Sequence, residues 1–250
     1  MLSPADAPSL LERGRMLWRF ARPRSGWVFT NARFLAARVE LDPARVSRVL
    51  PLGLRPSTPA RATLFVAHFP TTSFESVYSE AGIFVHLAGG AQHCPWILVD
   101  DDVALIAGRE LLGYPKKIGS IDFTLSGDRA HARVERKGAR LFELHAELGE
   151  IDPTPPPMEG RRTLNVLGSI GWSLQRLVAF TPEEEILEAR RATVDLHLFH
   201  APRDPLHELG IGRVTSAHYY RVNLGGRSLP WPVLPVGPRF WIHNWTLRSR

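Results

Sequence analysis

Apolar and polar positions alternate with a period of two along much of this chain, which predicts strands more often than helices. The first strand-like run is Trp27 to Val39. The clearest helix follows it: Asp42 is placed to cap, Pro43 suits the first turn, Val46, Val49 and Leu50 share a face, and Pro51 stops it. Thr63 to Phe69 and Ser76 to Leu87 are rich in β-branched and aromatic residues and read as two strands joined through Thr71-Thr72-Ser73, with Gly89-Gly90 ending the second. Trp96 to Val99 predicts a buried strand, Asp100-Asp101-Asp102 a solvated turn, and Val103 to Ala107 a further strand. Ile121 to Leu125 and His131 to Leu148 predict a meander turning at Ser126-Gly127-Asp128 and Lys137-Gly138.

Beyond a loop at Pro153 to Pro157, Thr163 to Phe180 is compatible with two strands, because Gly168 and Gly171 spoil a helix. Thr181-Pro182-Glu183-Glu184 is a capping box and by local chemistry predicts a helix to about Arg190. Val194 to Phe199 and Arg213 to Leu224 return to strand, closed by Gly225-Gly226. The ends differ in character. Ser9 to Phe20 reads as a short amphipathic helix or an arm packed on a neighbouring subunit. From Leu229 the chain carries Pro230, Pro232, Pro235 and Pro238 among Trp231, Phe240, Trp241 and Trp245, which predicts irregular chain lying along the body or across a subunit contact. The whole is read as one domain over residues 1–250, with 1–26 as an arm and 227–250 as a tail.

Composition narrows the function classes. At 44% hydrophobic and 22% charged residues the chain is of the soluble globular kind, and no apolar run approaches the roughly 18 residues a membrane span requires. The N-terminus lacks a basic and then apolar leader, so a cytoplasmic location is expected. Cys94 is the only cysteine, which excludes an internal disulfide and a multi-cysteine zinc site, and it is read as a packing residue. The net charge of +6 is spread among short groups such as Arg22-Pro23-Arg24, Arg161-Arg162 and Arg190-Arg191, with no nucleic-acid-binding signature; an anionic small substrate fits it equally well. Serine-hydrolase, phosphate-loop, zincin and dinucleotide motifs are absent. His197 and His200 lie three apart, so on a strand they face opposite ways and do not converge on a metal.

One stretch stands out: Gly108-Arg109-Glu110-Leu111-Leu112-Gly113-Tyr114-Pro115-Lys116-Lys117-Ile118-Gly119. Pro115 fixes the backbone before a lysine pair that Tyr114 and Ile118 bracket with apolar surface. An ammonium stripped of water and set beside a second ammonium binds its proton less firmly, and the neutral amine so favoured is a nucleophile.

These residues resemble the signature of the acetoacetate decarboxylase family, the usual example of a lysine activated beside another cation. Tyr78-Ser79-Glu80-Ala81-Gly82 is similar to the family's Tyr-x-Glu-x-Gly segment, and Phe29-x-Asn31, Pro205-Leu206 and Ser216-Ala217-His218 agree as well. The resemblance implies an α+β, mainly antiparallel fold, with a large sheet wrapped around an inner cone-like β-barrel and few short helices, assembled as a homo-oligomer. It also implies strands between Thr181 and Phe199, against the capping-box helix. In that reading Lys116 forms a Schiff base with a small oxo acid, Lys117 lowers its proton affinity, Glu80 orients substrate or shuttles protons, and Tyr114 keeps the pocket dry, with no metal or organic cofactor. Two positions depart from the family pattern: Ala32 takes the place of an arginine that serves the substrate carboxylate, with Arg33 next to it, and Phe65 takes the place of a second glutamate. Tyr114, Arg33 and Phe65 are therefore the candidate substrate contacts. Decarboxylation of a β-oxo acid is expected first, aldol or dehydratase chemistry on a larger oxo acid second, and small-molecule binding without catalysis third.

Overall fold

In the computed structural model the described residues are 27–168, 175–204, 206–226 and 231–235, with Ser9 and Leu11 ahead of them. Strand β1 (Trp27–Leu41) lies at the middle, antiparallel to β2 (Arg61–Phe69) on one side and β13 (Ile211–Gly226) on the other. Past β2 come β4 (Tyr78–His86), β5 (Gln92–Val99), β10 (Thr163–Leu167), β11 (Arg176–Phe180) and β14 (Trp231–Pro235). Past β13 come β12 (Glu183–Leu198), β9 (Ala139–Ile151), β8 (Arg129–Arg136) and β7 (Ser120–Ser126). Two short strands join the sides, β3 (Thr71–Thr72) on β1 and β6 (Lys116–Ile118) on β5. Among the described strands, only the contacts of β5 with β6 and with β10 are parallel. Among the elements that lie wholly in the described residues, the helices are α1 (Pro43–Val46) and α2 (Asp102–Leu112), with a 3-10 turn at Leu206–Leu209. None among the described residues is long and apolar enough to cross a membrane.

The expected antiparallel β architecture with few short helices is what the chain forms, but its barrel is not closed. Among the described residues the hydrogen bonds run as one open 14-stranded sheet from β14 to β7, with β3 and β6 as side branches. The β7 end curls back to lie against β2, β4 and β5. Curling buries both faces of the central strands, so alternate residues enter two different cores. Leu35 and Val39, Leu64 and Val66, Ala81 and Ile83, and Leu98 face the first core with Val134, Phe142 and Leu144. Phe34 and Ala36, Phe65 and Phe69, Phe84, and Ile97 and Val99 face the second, with Ala104 of α2 and Tyr114.

Several local expectations are corrected. Val103 to Ala107 is helix, not strand: the Asp101 carboxylate accepts from the Ala104 N–H at 2.7 Å, Gly113 ends the helix in the left-handed region at φ 69°, and Ala104, Ala107 and Gly108 form its buried face. A capped 3.6-residue period thus overrides a short apolar run. The triple aspartate is correspondingly a helix start. Thr181 to Arg190 is not a helix: Glu183 onward is strand, paired with β13 and then β9, as the family resemblance implied. Ladder partners on both sides outweigh the local capping chemistry. Asp42 does cap α1, accepting from Ala44 and Arg45 N–H groups, but that helix is four residues long. Within the tail, Trp231–Pro235 forms β14 on the edge of the sheet, where prolines are tolerated. The expected amphipathic arm at Ser9 to Phe20 lies, apart from Ser9 and Leu11, outside the described residues, as does the rest of the tail.

Candidate active site

The signature stretch folds as helix, turn and strand. Helix α2 runs to Leu112, Gly113 reverses the chain, and the Tyr114 N–H returns to the Gly108 carbonyl at 3.0 Å. A Cβ on Gly113 would stand 2.8 Å from the Val166 backbone of β10, so the turn admits only glycine. Pro115 leads into β6, which lies parallel to β5 with Lys116 beside Ile97 and Lys117 beside Leu98. Ile97 faces the second core and Leu98 the first. The two lysines therefore leave the strand on opposite faces.

Lys116 enters the second core. Its Nζ donates to Glu80 Oε2 at 2.9 Å, and both residues are buried, at 6% and 5% exposure. Glu80 is placed by the centre of the sheet, in β4 between Ala67 of β2 and Val99 of β5. The ammonium also lies 5.5 Å from the Tyr78 ring centre and 5.8 Å from that of Tyr114, within cation–π reach. Its stem crosses Gly108, where a Cβ would meet Cδ and Cε at 2.6 Å. Around it is a cavity of about 90 Å³ walled by rings such as Phe69, Phe74, Tyr78, Tyr114 and Phe180. Burial, reinforced by nearby carboxylates, pushes the phenols of Tyr78 and Tyr114 well above their usual range, so both stay neutral.

A second carboxyl group shares this cavity. Glu159, from the segment between β9 and β10, is 8% exposed. Burial first, and then the charges of Glu80 and Glu184, push its pKa well above the ordinary value, against the opposing pull of Lys116. The segment is held by Glu184 of β12, whose carboxylate accepts from the Met158, Glu159 and Gly160 N–H groups, each at 3.0 Å. The glutamate of the predicted capping box thus fastens a loop from a neighbouring strand.

Lys117 is absent from the cavity. It sits on the first-core side, 2.5 Å from Asp204 Oδ1, while Arg136 holds Oδ2 at 2.6 Å and the Trp96 indole N–H donates to Oδ1 at 3.1 Å. Burial lowers the proton affinity of Lys117, and Asp204 opposes that shift. The like-charge contact expected between the lysines is therefore replaced by two separate ion pairs. Arg33 also falls outside: it is exposed, while Ala32 beside it is fully buried on the site's side of β1. Phe65 is fully buried in the second core but stacks on Phe84, 5.0 Å between centres, and does not line the cavity. Lys116, Glu80 and Tyr114 are the sequence candidates that the fold brings together. Cys94 is fully buried with its thiol pushed up by that burial, in keeping with a packing role. His197 pairs with Asp195, whereas His200 meets the ring of His207.

Glu159, Glu184 and Asp204 were not candidates from the sequence. Each acts through a partner at least 24 positions away, and no local pattern marks it. For Lys117 a signal did exist, because adjacent residues on any strand face opposite ways.

Among known proteins, the acetoacetate decarboxylase of Chromobacterium violaceum is 31% identical over 102 residues, a stretch that makes up 40% of this chain and 41% of that protein, well under two thirds of its length. Structural likeness extends further. An acetoacetate decarboxylase from Legionella pneumophila superposes with a TM-score of 0.76 at 15% identity, covering 94% of this chain and 99% of that one. The enduracididine biosynthesis enzyme MppR, complexed with the condensation product of pyruvate and imidazole 4-carboxaldehyde, gives 0.73 at 21% identity, covering 84% and 89%. At those identities the superpositions speak for the fold alone. The family model for acetoacetate decarboxylase, however, matches residues 14–229, a span that includes the lysine strand, Glu80 and the Glu159 loop, and this chain belongs to the acetoacetate decarboxylase family.

Proposed function

We propose that this protein is a Schiff-base lyase that decarboxylates a small β-oxo acid on Lys116. The observation that carries the reading is the buried Lys116 amine, 2.9 Å from Glu80, at the wall of an aromatic cavity. Glu80 is placed to take the ammonium proton, freeing the lone pair of Lys116 to attack the keto carbon. The same proton then serves the carbinolamine oxygen, which leaves as water and yields the iminium. The iminium nitrogen draws in the electron pair of the adjacent carbon–carbon bond, so carbon dioxide departs and an enamine remains. The cavity walls favour this step, since a carboxylate set against rings is poorly solvated while neutral carbon dioxide loses nothing there. Protonation of the enamine and hydrolysis of the resulting iminium return the amine.

A second reading keeps the iminium and changes its fate to aldol-type addition or dehydration. It is favoured by the wall itself, which holds no arginine among the described residues to fix a substrate carboxylate. The condensation product in the MppR structure gives it further support.

One experiment tests both. Protein is incubated with acetoacetate or pyruvate, borohydride is added, and the modified peptide is mapped. An adduct on Lys116 with carbon dioxide release from acetoacetate is expected. An adduct without release selects the second reading, and no adduct on Lys116 with any of a panel of oxo acids refutes both.

A further inference from the structure

The reaction needs a second proton, and it must be delivered to carbon. Among the described residues, the titratable groups on the cavity wall are Lys116, Glu80, Glu159, Tyr78 and Tyr114. Lys116 is consumed as the iminium. Glu80 is engaged at nitrogen, in hydrogen-bond contact with Nζ. The two phenols hold their protons more tightly than usual, because burial disfavours their anions. Glu159 is left, and its surroundings are built rather than incidental. The three backbone N–H groups that donate to the Glu184 carboxylate fix Met158 to Gly160, and a Cβ on Gly160 would stand 2.7 Å from Glu184 Oε2, so the loop closes onto that carboxylate only as glycine.

We infer that Glu159 is the acid that protonates the enamine carbon, with Glu184 as the residue that positions it. The inference rests on the Schiff-base reading above. The Glu159 O–H proton passes to the α-carbon as the enamine double-bond pair forms the new C–H bond, and the iminium is restored with Glu159 as carboxylate. Water then attacks the iminium carbon and gives its proton to Glu80, retracing imine formation, and collapse of the carbinolamine returns that proton to Lys116; Glu159 takes up the one proton that decarboxylation consumes from solvent. Burial beside Glu80 and Glu184 suits the task, because it favours the acid form of Glu159, which has a proton to give.

The test separates proton transfer from imine formation. Acetone is incubated with the protein in deuterium oxide, exchange of its methyl hydrogens is followed by NMR, and borohydride trapping is measured in parallel. Glu159→Gln should keep trapping within about threefold of the parent and slow exchange by about 100-fold or more, the range for loss of a general acid–base group. The parent's exchange should rise as pH rises through ionisation of Glu159, because its carboxylate must first take the methyl proton from the iminium, and that limb should vanish in the variant. Should Glu159→Gln fail to fold, Glu159→Asp takes its place: it withdraws the carboxyl group by one methylene, and exchange should fall while trapping persists. Trapping with parent-like exchange in whichever variant folds overturns the role of Glu159 and leaves the Schiff base standing. Failure of the parent itself to trap any oxo compound overturns both.

Discussion

Gly108→Ala separates the site from the fold. The new Cβ would stand 2.6 Å from Cδ and Cε of Lys116, whereas carbon atoms rest at about 3.5–4.0 Å, so the side chain must move by roughly 1 Å. What moves is the end of a flexible side chain, and the helix backbone is undisturbed. Alanine in place of glycine inside α2 should raise helix stability by up to about 1 kcal/mol. The same shift pulls Nζ away from its 2.9 Å contact with Glu80, and a misplacement of about 1 Å in a reacting group costs on the order of 100-fold in rate. Thermal melting should therefore show an equal or higher midpoint, while the initial rate of borohydride trapping with acetoacetate falls by about two orders of magnitude. A trapping rate within threefold of the parent would show that Lys116 does not react from this position.

Three further outcomes follow from the geometry. Lys117→Met should leave the pH midpoint of adduct formation in place, because its ammonium pairs with Asp204 on the far face; a rise of a full unit would reinstate like-charge activation. Asp204→Asn leaves Lys117 and Arg136 buried without their counter-charge and should cost about 3–5 kcal/mol in denaturant unfolding, and a loss under about 1 kcal/mol would refute the network's structural weight. Glu159 is held above its ordinary value of 4.5 in the folded protein, so the folded state binds that proton more firmly than the unfolded chain does. Its contribution is full below 4.5 and is lost as pH rises through the folded value, so the parent's stability relative to Glu159→Gln should decline from acid toward neutral pH; a gap independent of pH contradicts it.

Much of the sheet was legible because alternation is a local property. Strands β1, β2, β4 and the meander β7 to β9 fall near their expected positions, with turns at Gly127 and Gly138. The errors share a cause. A five-residue apolar run at Val103 fits strand or helix equally, and the cap at Asp101 and the stop at Gly113 decide it. The capping box at Thr181 has sound local chemistry, yet Glu184 spends its carboxylate on a loop some 25 residues earlier. For the site, the lysine stretch and Glu80 were readable as a motif. Glu159 was not, since its proximity to Lys116 exists only after β9, β10 and β12 are assembled.

The placement of the lysine pair has a mechanical consequence. Strand β6 is three residues long and would be a poor mount for an amine that the proposed chemistry needs held to about half an ångström. On its reverse side the next residue is pegged to Asp204, itself clamped by Arg136 and Trp96. Lys117 thus works as a rivet: the strand that carries Lys116 into the cavity is fastened from behind, by a residue that does not line it.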